Sequence, residues 1–248
     1  MYLDQCLVDF CSGKAHKGIA EMATNLWKRS GDKVVDVMEE FPDYKLMITG
    51  HSLGAGTACL LNMHLHVNEV FKGRTVQCFA FAPPPTFWPC TNQSDEAVCN
   101  PKVKQAMQNT TAYIHDNDVV PFLSVTAVRR LVRLLDSVDN KTELLWFWKR
   151  WQLVQERSGI PKEIVDNVLN TAEKSELKKG ESRMIIPAEC VLWCKEEEEG
   201  TFASYVCDPF KVANTDIFLC PDMVSDHLPE EYEDCLDALV DAMDKCSE

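Results

Sequence analysis

The pentapeptide Gly50-His51-Ser52-Leu53-Gly54 places a serine at the centre of a G-x-S-x-G pattern. That is the nucleophile elbow, a sharp strand-to-helix turn that strains the serine backbone and lifts its hydroxyl clear of the sheet. Lys45 to Thr49 before it reads as a short buried strand, and Thr57-Ala58-Cys59-Leu60-Leu61 after it as an apolar helix, the context the motif requires. A side chain at Gly50 or Gly54 is expected to collide with the neighbouring strand or helix.

A serine hydroxyl is a poor nucleophile at neutral pH. It needs a base within hydrogen-bond reach, itself oriented by a carboxylate. Behind this elbow the partners come in the order Ser, then Asp or Glu, then His. Of the six histidines, only His115 and His227 follow the elbow helix, because His64 and His66 lie within it. His115 falls inside a strand and ahead of the acids. His227 stands where an irregular segment meets the last helix and can swing back over a strand end, so it is the expected base. Asp116 and Asp118 both close the strand Thr111 to His115, and spacing barely separates them. Asp118 is preferred because the apolar Val119-Val120-Pro121 that follows would fix its backbone.

These residues need a scaffold that brings strand ends together. Ile19, Met22, Ala23, Leu26 and Trp27 fall at helical spacing, and Val34, Val35 and Met38 continue the pattern after a break at Ser30-Gly31, as one amphipathic helix or a helix pair. Proline stops it at Phe41-Pro42. Residues 1 to 14 show no clear period. Val76 to Ala82 and Thr111 to His115 are the further strands, with a short helix from Lys102 to Gln108 between them. Val125 to Leu135 reads as helical. Met184 to Trp193 and Ala203 to Cys207 read as a hairpin around an acidic turn, and the last helix carries Cys235, Leu236, Leu239, Val240 and Met243 on one face. Strands alternating with helices imply a mostly parallel sheet covered on both faces, with functional loops at the carboxyl ends of the strands.

Composition narrows the role. With 248 residues, 46% hydrophobic and 26% charged, the chain can bury one sizeable core and is expected to form a single domain. A net charge of −14 with no basic stripe disfavours nucleic acid as a partner. The acidic runs Glu196 to Glu199 and Glu230 to Asp234 read as a solvated turn and a helix start. The longest apolar runs are too short to cross a bilayer, and the N-terminus lacks the basic and apolar regions of a signal peptide. The twelve cysteines include no C-x-x-C, and Cys190 and Cys194 have no histidine at ligand spacing near them, so no metal site is expected. Cys90 and Cys99 are the one pair worth testing for a bridge.

Three stretches together resemble the class 3 lipase family: Glu39 to Leu46 leading into Gly50 to Gly56, Asn117-Asp118-Val119-Val120-Pro121, and Ser225-Asp226-His227-Leu228. Ala15-His16-Lys17-Gly18, Phe79-Ala80-Phe81-Ala82-Pro83-Pro84 and Asp226-His227-Leu228-Pro229 are similar to its sn-1-specific diacylglycerol lipases. The resemblance implies an α/β-hydrolase fold with Ser52 as nucleophile, Asp118 as orienting acid and His227 as base. It also implies attack on a glycerolipid acyl ester through an acyl-enzyme, without metal or cofactor. A phospholipase or galactolipase activity is the alternative within the family.

The Leu53 backbone N–H, directly after the nucleophile, is expected to supply half of an oxyanion hole. The family's other donor belongs to a strand end upstream of the His-Lys-Gly motif. Here that motif begins sixteen residues into the sequence, which reads as a catalytic domain without its first strands and raises the further alternative of a weak or non-catalytic lipid- or protein-binding relative. The resemblance implies that the insertion at 136–180 occupies the place of a regulatory or lid-like loop. Trp146, Trp148 and Trp151 beside Lys149 and Arg150 suit peripheral membrane contact, or equally a cover over the mouth of the site.

Overall fold

The computed structural model describes residues 6–89, 100–124, 127–128, 130–133, 135–136, 184–198, 201–215, 217 and 220–246. The chain divides into two compact units, 1–124 with 183–248 and 125–182. In the second, the described residues between 127 and 136 are helical. The insertion at 136–180 with Trp146, Trp148 and Trp151, and the cysteines Cys90 and Cys99, fall outside the described residues, apart from Asp136.

In the larger unit a five-stranded sheet runs in the order β3-β4-β6-β7-β8, formed by β3 Leu46–His51, β4 Val76–Phe81, β6 Thr110–His115, β7 Cys190–Glu198 and β8 Thr201–Cys207. The first four strands are parallel, and β8 returns antiparallel against β7. On one face lie the helices α1 Lys17–Glu40, α2 Leu53–Val67 and α3 Pro101–Gln108. Ile19, Ala20 and Ala23 of α1 bury against Leu60, Met63 and Leu65 of α2 and Val103 and Ala106 of α3. Small side chains set how close α2 sits to the sheet. Ala55, Ala58 and Cys59 pack on Cys78 and Ala80 of β4, and this contact fixes the helix that starts at the elbow. On the same face, the short helix α4 Pro209–Asn214 buries Val212 beside Ala112, Ile114 and Val191.

Because side chains alternate across a strand, Phe81, Tyr113 and His115 point to the opposite face. There Phe81 stacks on Tyr113, and Phe81 and His115 both meet Tyr232 of the last helix, α5 Pro229–Cys246. This mostly parallel sheet with helices on both faces and a strand–elbow–helix leading from β3 into α2 is the α/β-hydrolase fold.

Three local features depart from the sequence reading, and one alternative it left open is decided. Residues 7–16 form a hairpin, β1 Leu7–Phe10 and β2 Gly13–His16, extended by β5 Phe87–Trp88 into a small antiparallel sheet. Strands of four residues are too short to show a period. The link between them is Cys11-Ser12, both at positive φ, as tight hairpins require. Of one helix or a pair, α1 is the single helix, unbroken through Ser30-Gly31; a Cβ on Gly31 would stand 2.8 Å from the Trp27 ring, so glycine makes room for that ring. The run Glu196 to Glu198 continues strand β7 rather than forming a turn. Along α5, Cys235 is buried but Val240 and Met243 are exposed, so only the first half of the expected apolar face is covered.

Candidate active site

Three strand ends and one helix start build the site. Strand β3 leads directly into Ser52, whose backbone is held at φ 57°, ψ −126° with its N–H donating to the Phe81 carbonyl at 2.9 Å. A residue with a Cβ enters that region only when its surroundings enforce it. The turn closes tightly enough only because residue 50 is glycine, where a Cβ would stand 2.4 Å from the Gly54 carbonyl oxygen and 2.8 Å from the Ala55 nitrogen, all backbone. Gly54 differs from expectation, since a Cβ there meets nothing within 4 Å. Gly50→Ala should therefore lower stability by about 1–3 kcal/mol through overpacking. Gly54→Ala should be neutral or stabilising, by up to about 1 kcal/mol, as a glycine replaced within a helix. Thermal unfolding of the two variants checks this, and equal losses would remove Gly50's special role.

Strand β6 ends at His115, and the turn beyond it carries Asp118, which has no exposed surface. A short 3-10 turn, Ser225–His227, delivers His227 just before α5. Ser52 Oγ lies 2.8 Å from His227 Nε2, and His227 Nδ1 lies 3.1 and 3.0 Å from the two Asp118 oxygens. The structure thus joins Ser52, His227 and Asp118 in one hydrogen-bonded line.

The other candidates are placed elsewhere. Asp116 accepts from the Asn117 side chain at 2.5 Å, and burial together with the Asp226 charge raises its pKa. Its backbone carbonyl accepts from the Trp193 indole at 2.8 Å. His115 is buried, with Nδ1 3.3 Å from the Asp226 carbonyl and its ring tilted against Tyr232. His51 lies with its ring 4.7 Å from that of His227, and burial followed by the His227 charge lowers its pKa. Leu53 opens α2, so its N–H belongs to the first turn of donors that have no acceptor within the helix. Among the described residues no group of three or more His, Cys, Asp or Glu side chains is placed to hold a metal ion.

Two residues that sequence reasoning missed brace Asp118 and its turn. Tyr232 donates its hydroxyl to Asp118 Oδ2 at 2.6 Å while accepting the His115 N–H at 3.0 Å. Asp226, buried beside His227, accepts the Asn117 N–H at 3.0 Å and steadies the turn that carries Asp118. The available signal was a lone aromatic in the acidic start of α5, five residues beyond His227.

Exposed apolar side chains flank the site residues along the chain. Leu53 and Leu228, the immediate neighbours of Ser52 and His227, are each 49% exposed, and Val224 and Leu123 are exposed as well. An open cleft of about 300 Å³ adjoins the site, lined by His51, Phe81, Pro229, Tyr232 and Leu236 with Glu233 and Asp237.

Comparison with known proteins agrees with the resemblance. The profile of the family Lipase (class 3) matches residues 2–127, just over half of the 248 residues and inclusive of Ser52 and Asp118. Diacylglycerol lipase-alpha of Homo sapiens is 28% identical over 139 residues, 53% of this chain and 12% of that protein. Diacylglycerol lipase-beta of Mus musculus is 31% identical over 134 residues, 51% of this chain and 18% of that protein. The match therefore spans less than a fifth of either curated relative. The native Rhizomucor miehei lipase propeptide complex is similar at 25% identity and a TM-score of 0.41, over 49% of this chain and 38% of that one. The chain belongs to the class 3 lipase family.

Proposed function

We propose that the chain is a serine lipase that hydrolyses an acyl ester of diacylglycerol or a related glycerolipid through an acyl-enzyme at Ser52. The observation that carries the reading is the line from Ser52 Oγ through His227 to the buried Asp118 carboxylate. His227 Nε2 takes the Ser52 proton as Oγ attacks the acyl carbon, and Asp118 holds the ring so that Nδ1 keeps its own proton and Nε2 stays free. The Leu53 N–H, at the positive end of α2, serves the developing oxyanion. His227 then hands its proton to the leaving glycerol oxygen. A water activated by the same Nε2 cleaves the acyl-enzyme.

Lipid as substrate draws support from the exposed leucines beside both reacting residues, since large apolar side chains around a polar centre suit an acyl chain or a lipid surface. The names of the relatives support diacylglycerol in particular. Fatty-acid release from mixed micelles tests the reading, with diacylglycerol, phosphatidylcholine and a galactolipid offered in parallel. Faster release from diacylglycerol than from either other lipid is the expected result. Preference for a lipid with a polar headgroup would assign the chain to phospholipase or galactolipase activity instead.

A further inference from the structure

We propose that Tyr232 is the positioning residue of this site, its hydroxyl clamping the Asp118 carboxylate in the plane that aligns His227 with Ser52. The proposal rests on the hydrolase reading above for its effect on rate, though not for its effect on the Asp118–His227 hydrogen bond.

Asp118 is fully buried, and a buried carboxylate is tolerated only when its oxygens are engaged by donors. Oδ1 accepts the Val120 N–H at 2.9 Å, Oδ2 accepts the Tyr232 hydroxyl at 2.6 Å, and His227 Nδ1 sits between the two oxygens. Turning the carboxyl about its Cβ–Cγ bond would stretch both outer contacts. The backbone donor and the phenol therefore act as two jaws, and the imidazole meets the opening between them. Of the two jaws the phenol makes the shorter contact, as expected of a hydroxyl donating to a charged oxygen.

The polarity of the phenol is set from behind. It accepts the His115 N–H at 3.0 Å, so its own proton is directed to Asp118. Burial and the Asp118 charge raise the Tyr232 pKa well above the ordinary value for a phenol, so the hydroxyl remains a donor wherever a serine hydrolase works. One oxygen thus joins the last strand residue before the acid turn to the acid itself. Because Tyr232 lies in the start of α5, only five residues beyond His227, the same oxygen ties the segment that delivers the base to the strand that delivers the acid.

The ring is seated independently of the hydroxyl. It stands edge-on to His51 at 5.8 Å and to Phe81 at 6.3 Å, and tilted against His115 at 5.6 Å. Tyr232→Phe therefore removes the clamp while leaving its packing in place.

With a soluble short-chain ester, Tyr232→Phe is expected to lower kcat about 10- to 100-fold with KM unchanged, the range for losing a hydrogen bond to a charged group. In an Asp118→Ala background the same substitution is expected to change kcat less than about twofold, because the clamp acts only through the carboxylate. A loss of equal factor in both backgrounds, or one carried by KM, overturns the proposal in favour of a merely structural tyrosine. A readout that needs no turnover separates this from failure of the hydrolase reading. The low-field proton NMR resonance of His227 Nδ1–H, assigned by its absence in His227→Gln, is expected to shift in Tyr232→Phe while thermal unfolding stays cooperative. An unmoved resonance in the folded variant overturns the proposal whether or not any ester is cleaved.

Discussion

Replacing His227 with glutamine is expected to lower turnover of a soluble ester by about 10⁴–10⁶, the range seen when a nucleophile loses its base. Nε2 lies 2.8 Å from Ser52 Oγ, a distance at which a proton can pass. A glutamine amide at that place can still hydrogen-bond the hydroxyl, but it cannot accept the proton at neutral pH or return it to the leaving oxygen. A base at this place would act after the ester is bound, so KM is expected to move little. His227 is partly exposed and its backbone holds the 3-10 turn through Val224, so the variant should remain folded. Steady-state kinetics with p-nitrophenyl butyrate measure the loss. A residual rate within tenfold of the parent would mean that another group is the base, and the partly buried His51 ring against His227 would be the first to examine.

Asp118→Asn is expected to be nearly as severe for rate, about 10⁴-fold in kcat, and more severe for stability. An asparagine keeps the shape of the side chain but turns one acceptor into a donor. The imidazole would then settle in the wrong tautomer, with its proton on the nitrogen that faces Ser52. Meanwhile the Val120 N–H and the Tyr232 hydroxyl both need an oxygen, and the amide supplies one. One buried donor left without a partner costs about 1–3 kcal/mol, or roughly 2–4 °C in Tm for each kcal/mol in a chain of this size. Asp116→Asn is the control. Asp116 bonds Asn117 and makes no contact with His227, so its replacement should leave kcat within about threefold. Equal losses from the two substitutions would mean that the carboxylates share the role, and a larger loss from Asp116→Asn would reverse the assignment.

The contrast between the two aspartates shows what the sequence could carry. Ser52 was legible because the elbow is a local constraint: a strand, a turn of small residues and a helix within a dozen positions. His227 followed from chain order, and the alternation of strands and helices was strong enough to give the parallel sheet. Choosing between Asp116 and Asp118 depended on which way a two-residue turn points, and spacing alone does not encode that; resemblance to the family favoured Asp118. Tyr232 was harder still. Its partners, Asp118 and the His115 N–H, lie more than a hundred residues away, and its neighbours Glu230, Glu231, Glu233 and Asp234 gave the helix start the look of a purely solvated face. The hairpin at 7–16 escaped notice because four-residue strands leave no periodic trace. The motif makes both of its glycines look sterically required, whereas of the two only Gly50 faces backbone at close range.

Reaction of the folded chain with a fluorophosphonate ester, followed by mass spectrometry of its peptides, reports on whether Ser52 is an activated nucleophile without any assumption about the natural lipid. The hydrogen-bonded line from Ser52 to Asp118 predicts a single stable adduct on the peptide that carries Ser52, lost in Ser52→Ala and formed far more slowly in His227→Gln. A folded chain that takes up no label at Ser52, or labels equally well without His227, would contradict it.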